Sequence, residues 1–173
     1  MKLGAIDQGT TSSRALMLSD GKAELSATFT HKQSYPTSGC VEHDPRELLK
    51  NIQACSDALE SADALGLDNQ GESCLAWDRK TGEPISPVIV WQDSRPANVT
   101  NKLKKHGHEE RVKALSGLPL DPYFSASKLG WILENVPEAK ELLREKRLAL
   151  GTTDAFFLQN LVGRFVTDVT TAS

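Results

Sequence analysis

The sequence is poor in cysteine, with three in 173 residues, and Cys40, Cys55 and Cys74 lie too far apart for a paired Cys-x-x-Cys zinc ligand set. An odd, scattered number also argues against a disulfide framework, so reduced thiols packed as small hydrophobes are expected. Positive charge is not in surplus either. The formal net charge is −3, whereas binding nucleic acid by phosphate neutralisation needs a basic face, so nucleic acid is not an expected partner. No apolar run approaches the roughly 20 residues of a membrane-spanning helix, and Met1-Lys2-Leu3 leads into a strand rather than a signal peptide. A cytoplasmic protein without membrane association is the resulting expectation. Internal repeats, low-complexity tracts and flexible linkers are also missing, which leaves one domain, and a hydrophobic content of 39% suffices for its core.

Apolar patterning places strands first, at Leu3 to Ile6, Arg14 to Ser19 and Ala23 to Gln33, with Asp20-Gly21 as a tight hairpin turn. A helix should follow at Asp44-Pro45-Arg46-Glu47, where Asp44 caps, Pro45 takes the first helical position and Glu47 closes a capping box. Leu48, Ile52, Cys55 and Leu59 recur at helical spacing and predict one buried face. Short strands are expected at Ala64 to Leu67, Cys74 to Trp77 and Val88 to Trp91. The second half reads as helices at Pro96 to Lys105, Glu109 to Leu115, Ser125 to Asn135 and Pro137 to Lys146. A strand at Leu148 to Leu150 then precedes a helix from Asp154 to Leu161 that stops at Gly163. This order predicts an α/β architecture with a mixed sheet and flanking helices. The basic run Lys102 to Lys105 is interrupted downstream by Glu109 and Glu110 and reads as a solvated helix face.

Asp7-Gln8-Gly9-Thr10-Thr11-Ser12-Ser13-Arg14, between the first two strands, has the composition of a phosphate-holding hairpin. Glycine lets the backbone approach an anion, and the following hydroxyls and N–H groups can converge on phosphate oxygens. Asp7 can hold a magnesium ion directly or through water, and Arg14 adds a fixed positive charge. Polar residues also gather at a later strand end, in Asp68-Asn69-Gln70-Gly71-Glu72.

Several separated segments together resemble the FGGY carbohydrate kinases. They are the octet above, Gln33-Ser34-Tyr35-Pro36 with Val41-Glu42-His43-Asp44-Pro45, Asn69-Gln70-Gly71-Glu72 with Trp77-Asp78-Arg79, and Val90-Trp91-Gln92-Asp93. Gly117-Leu118-Pro119-Leu120-Asp121-Pro122-Tyr123-Phe124-Ser125 and Gly151-Thr152-Thr153-Asp154 with Val166-Thr167-Asp168 complete the set. The resemblance implies an actin-like, ribonuclease-H-like ATPase fold, with residues 1–173 as the amino-terminal portion of the first kinase domain. It implies ATP-dependent phosphorylation of a small polyol, glycerol first, with another polyol or sugar as the alternative acceptor and a non-catalytic binding module as the alternative role. Under that resemblance Thr10, Thr11, Ser12 and Arg14 contact nucleotide phosphates, Asp7 lies near Mg2+, and Glu72, Trp91, Tyr123 and Gly71 border the polyol. A carboxylate can accept from two neighbouring hydroxyls, and aromatic rings can wall the carbon side of a polyol. Asp93 and Arg95 are equally readable as loop braces or ligand contacts. His43 reads as structural, and His31, His106 and His108 show no partner pattern. A homo-oligomer is compatible with the resemblance.

The sequence departs from this pattern in three places. Gly71 stands where, by the resemblance, glycerol-phosphorylating members carry an arginine, so a donor to substrate hydroxyls is removed. Cys40 stands where tryptophan is frequent, and the connection from the helix end near Glu60 to the strand near Ala64 is short. The family's Gly-Asp-Gln run, which carries its catalytic aspartate, and its second, adenine-holding domain are not in the sequence, so no catalytic residue is expected here and the isolated chain is expected to be inactive.

Overall fold

The computed structural model describes residues 1–171. The amino-terminal half is organised by a meander of β1 (Lys2–Gln8), β2 (Ser12–Ser19) and β3 (Lys22–Thr30). Asp20 and Gly21 turn between β2 and β3 with φ of 51° and 75°. Those paired positive values suit the right-handed twist of the flanking strands, and Asp and Gly are residues that accept them cheaply. In β1, Gly4, Ile6 and Gln8 face inward, the alternation of a half-buried strand.

After the two-residue β4 (Glu42–His43), helix α1 (Pro45–Asp57) buries Leu48, Asn51, Ile52 and Cys55 on one stripe. Asp44 caps it by accepting from the Arg46 N–H at 2.8 Å. The capping box is not formed, however: Glu47 Oε2 accepts the Lys32 N–H at 3.2 Å instead. The carboxylate expected to fold back onto its own helix ties the end of the meander to α1.

Strand β5 (Ala64–Asn69) pairs parallel with β1, giving a four-stranded sheet of order β3-β2-β1-β5. The remaining strands, β6 (Cys74–Asp78), β7 (Val88–Ile89) and β8 (Leu148–Thr152), join β4 in a second sheet of order β4-β7-β6-β8. The expected mixed sheet is therefore present, and an antiparallel second sheet stands beside it. Between β7 and β8 run α2 (Ala97–Lys105), α3 (Glu109–Ser116), α4 (Ser125–Asn135) and α5 (Pro137–Arg144). Helix α6 (Thr153–Val162) follows and ends at Gly163 with φ 70°.

The main core joins Ile6 and Ala15 of the first sheet, the buried stripe of α1, Trp77 of the second sheet, and Phe156 and Phe157 of α6. Large aromatic side chains bury on the order of 150–250 Å² each, worth about 4–6 kcal/mol apiece by area. The Trp77 indole N–H keeps a partner, donating to Gln159 Oε1 at 2.8 Å. A smaller cluster of Ala76, Ile89, Ile132 and Ala139 seats α4 and α5 on the second sheet. By contrast α3 buries no residue and α2 only Thr100.

Candidate active site

The β1–β2 connection consists of Gly9, Thr10 and Thr11. Gly9 N–H donates to Ser12 O at 3.0 Å, closing a four-residue turn. Neither Thr10 nor Thr11 has positive φ, so this is not the primed turn that ordinarily closes a two-residue hairpin loop. Among the described residues the Thr10 and Thr11 amides donate to no acceptor. The cross-strand register sets Asp7 opposite Arg14 on the outer face, where the charges approach to 3.9 Å while both side chains stay about half exposed. The turn thus offers free amides, the hydroxyls of Thr10, Thr11 and Ser12, and an arginine: the chemistry of an anion cradle.

Parallel pairing of β1 with β5 brings the carboxyl ends of both strands to one side, and Gln70 N–H donates to Gln8 O at 3.0 Å. Beyond it the chain turns through Gly71 into Glu72, which has φ 63° and is 6% exposed. A left-handed glutamate costs about 1–2 kcal/mol, and such outliers persist where the surroundings over-determine them, commonly at functional sites. Here the surroundings are the first turn of α4. The Ser125 N–H and Oγ both donate to Glu72 Oε2 at 2.9 Å. No side chain of Phe124 caps this helix, so the distant Glu72 satisfies an orphan N–H and meets the positive end of the helix dipole. Its other oxygen, Oε1, accepts from no described residue and is available to a ligand.

The backbone N–H of Trp91 donates to Ser73 Oγ at 3.2 Å, which ties the chain at Trp91 to the residue after Glu72. The Trp91 and Tyr123 rings meet with centroids 5.7 Å apart at 62°. Tyr123 owes its place to Lys128, a fully buried lysine of α4 whose ammonium donates to Pro122 O at 3.1 Å and to Tyr123 O. Burial pushes the Lys128 pKa down, and burial pushes the neighbouring Cys74 thiol up to about 12. Asp93 and Arg95 are braces. Asp93 Oδ2 accepts the Val41 N–H at 2.7 Å, and Arg95 grips Asp93 and Glu42 while stacking 4.6 Å from the Trp131 ring.

The structure sets the hairpin residues at the β1–β2 turn and Glu72 just beyond the neighbouring parallel strand β5, whereas Trp91 follows β7 of the second sheet and meets Tyr123 from the turn before α4. Sequence reading missed Ser125 and Lys128; both lie in or next to the Asp121-to-Ser125 segment, but no pattern there announced a buried lysine. Near the hairpin, Gln8 Oε1, Ser13 Oγ and both amide atoms of Gln70 are buried without partners, which makes this the least satisfied part of the interior. Asp7 lies next to the turn with Asp68 beside it in the parallel register, and among the described residues no group of three or more His, Cys, Asp or Glu is arranged to hold a metal.

A strand-turn-strand anion cradle beside a buried, ligand-ready carboxylate, on parallel strands backed by helices, is the architecture of an actin-like ATPase. Residues 2–173 match the sequence profile of the FGGY family of carbohydrate kinases, N-terminal domain, and the chain belongs to this family. It is 48% identical to glycerol kinase 1 of Pseudomonas aeruginosa and 46% identical to glycerol kinase of Paraburkholderia phytofirmans, each over 98% of this chain and 36% of the relative. The structure of Plasmodium falciparum glycerol kinase with ADP superposes with a TM-score of 0.86 at 26% identity, over 98% of this chain and 36% of that one. The chain thus spans about a third of the length of these relatives.

Proposed function

We propose that the protein carrying this chain transfers the terminal phosphoryl group of ATP to a primary hydroxyl of a small polyol, with glycerol as the favoured acceptor. The observation that carries this reading is Glu72: a buried carboxylate in a strained conformation, one oxygen locked onto α4 and the other free, beside an aromatic wall. A carboxylate so held accepts from adjacent hydroxyls, each charged hydrogen bond worth about 1.5–3 kcal/mol, while Trp91 and Tyr123 cover the carbon side. Thr10, Thr11, Ser12 and Arg14 hold the nucleotide phosphates. Phosphoryl transfer depends on positioning and charge neutralisation, and this arrangement supplies both.

Asp7 at the hairpin fits Mg2+, which keeps several waters and phosphate oxygens as ligands and needs few protein groups. When bound, the ion neutralises phosphate charge, and Asp7 would orient it through a direct or water-mediated contact. In this reading residues 1–173 are the amino-terminal portion of the first kinase domain. The proton-accepting carboxylate and the adenine-holding lobe belong to the rest of the parent protein. Free Cys40, Cys55 and Cys74 and the demand for ATP support a cytoplasmic setting, and among the described residues no helix is long and apolar enough to cross a membrane.

One observation favours a wider acceptor as the second reading. A Cβ built on Gly71 meets nothing within 4 Å, so open space adjoins Glu72. The deciding experiment assays the complete gene product with ATP against glycerol, erythritol, pentitols and ketopentoses. Turnover led by glycerol supports the first reading, turnover led by a longer polyol or sugar supports the second, and no polyol-dependent ATP consumption refutes both.

A further inference from the structure

The hairpin turn closes through a single backbone hydrogen bond, from Gly9 N–H to Ser12 O. With neither Thr10 nor Thr11 at positive φ, the Gly9 carbonyl makes no backbone hydrogen bond across the turn, and three successive carbonyls face away from the free amides. All three are taken by one residue. His31, the first after β3, donates its backbone N–H to Thr11 O at 3.1 Å, and its ring Nε2 lies 3.2 Å from Gly9 O and 3.1 Å from Thr10 O. Gln8 Nε2 adds a bond to Gly9 O at 2.7 Å. Both ring partners are carbonyls, which can only accept, so Nε2 carries the proton and shares it in a three-centre bond. Nδ1 is buried without a partner among the described residues, and the ring, 7% exposed, stands edge-on to His43 at 4.9 Å. His43 is itself fixed by Nδ1 at 2.8 Å from Lys32 O, while Glu47 holds the Lys32 N–H. The imidazole is thus a rigid post anchored through α1 and β4.

We propose that His31 is a positioning residue for phosphate capture: by drawing the Gly9, Thr10 and Thr11 carbonyls to the rear, it aims the Thr10 and Thr11 amides forward at the anion. The proposal rests on the reading of this turn as the nucleotide-phosphate site, but the geometry it assigns to His31 is testable without nucleotide. A carbonyl turned toward a phosphate repels it, so a turn free to rotate its peptide planes loses affinity even with Thr10, Thr11 and Arg14 intact. Among the described residues His31 makes no hydrogen bond or ring contact with Glu72, Trp91 or Tyr123, so its effect should fall on nucleotide.

The test uses two variants of the intact gene product. His31→Phe keeps the ring volume and removes the donor, whereas the Nε2 amide of His31→Gln can reach the position of the imidazole Nε2. In His31→Phe, hydrogen exchange measured by mass spectrometry on peptides spanning residues 9–13, without nucleotide, should quicken, and ATP affinity by calorimetry should fall about tenfold, the worth of roughly one buried hydrogen bond. Glycerol affinity should not change, and His31→Gln should restore both protection and ATP binding. Unchanged exchange and ATP affinity in His31→Phe overturn the proposal, as does a folded His31→Gln that behaves like Phe. If the wild type binds no ATP, the phosphate reading falls, and the exchange comparison still decides the role of His31. Should His31→Phe fail to fold, 15N-histidine spectra of the wild type decide it: a neutral Nε2–H ring supports the proposal, and the Nδ1–H tautomer overturns it.

Discussion

Replacing Glu72 separates its hold on α4 from the substrate contact proposed for it, by their energies. Glu72→Ala removes both hydrogen bonds from Ser125, each made at 2.9 Å to a charged, buried oxygen. At about 1.5–3 kcal/mol each in isolation, and with partial relief as Ser125 finds water at the site mouth, the net cost is about 3 kcal/mol. For a chain of this size that lowers Tm by roughly 6–12 °C. Alanine gains nothing back, because the backbone must still hold φ 63°. Glycine does: Glu72→Gly loses the same bonds but relieves about 1 kcal/mol of left-handed strain. Glu72→Gln keeps an acceptor oxygen and gives up the charge, at about 1–2 kcal/mol. The expected order of thermal stability is wild type, Gln, Gly, Ala, measured by differential scanning calorimetry. All three variants should lose polyol binding by isothermal calorimetry. If Ala proves as stable as Gly, the backbone at residue 72 is unstrained, and if Gln binds polyol normally, the free Oε1 is not the acceptor for substrate hydroxyls.

Gly71→Arg should fold normally, since its Cβ enters open space, and should raise glycerol affinity by calorimetry; an unchanged affinity would mean the pocket has been rebuilt elsewhere. Burial, outweighing their backbone hydrogen bonds, holds the His31 and His43 rings below the ordinary histidine pKa. The folded chain therefore resists protons that the unfolded chain accepts. Stability should be level above about pH 6.5, decline as the pH falls through the two depressed values, and decline less in His31→Gln; a Tm flat from pH 8 to 5 would contradict this. Cys74, raised to about 12, and Cys55, raised by burial, should resist thiol reagents, while the partly exposed Cys40 reacts. Ellman titration should count one thiol in the native chain and three in denaturant.

Local chemistry made part of this molecule readable. Asp44-Pro45 with the Leu48, Ile52 and Cys55 stripe specified α1, Asp20-Gly21 specified a hairpin, and Gly163 ended α6, because each signal acts within a few residues of its effect. The second sheet was less legible. Strand β4 has two residues, too short to display a period, and exists because β7 gives it a partner; β7, expected over Val88 to Trp91, is only Val88–Ile89, paired to β4 and β6. Glu47 misled for a related reason: its sequence neighbours favoured a capping box, but Lys32 from the meander offered the competing N–H. The Asp7-to-Arg14 octet and Glu72 were visible by composition and resemblance, whereas the means of holding them were not. His31 acts on backbone carbonyls, which leave no trace in a residue pattern, and Lys128 looks like any helical lysine until α4 is turned against Pro122 and Tyr123.

The two halves of the site are fastened with unequal strength. The hairpin turn joins β1 and β2, whose Ile6 and Ala15 enter the main core with α1, whereas the aromatic wall depends on Lys128 and on a helical flank in which α3 buries nothing. Under the proposed function, mild heating or low denaturant should therefore blunt discrimination among acceptors before it loosens the grip on nucleotide. At the edge of its stability the molecule would lose its palate first and its appetite last.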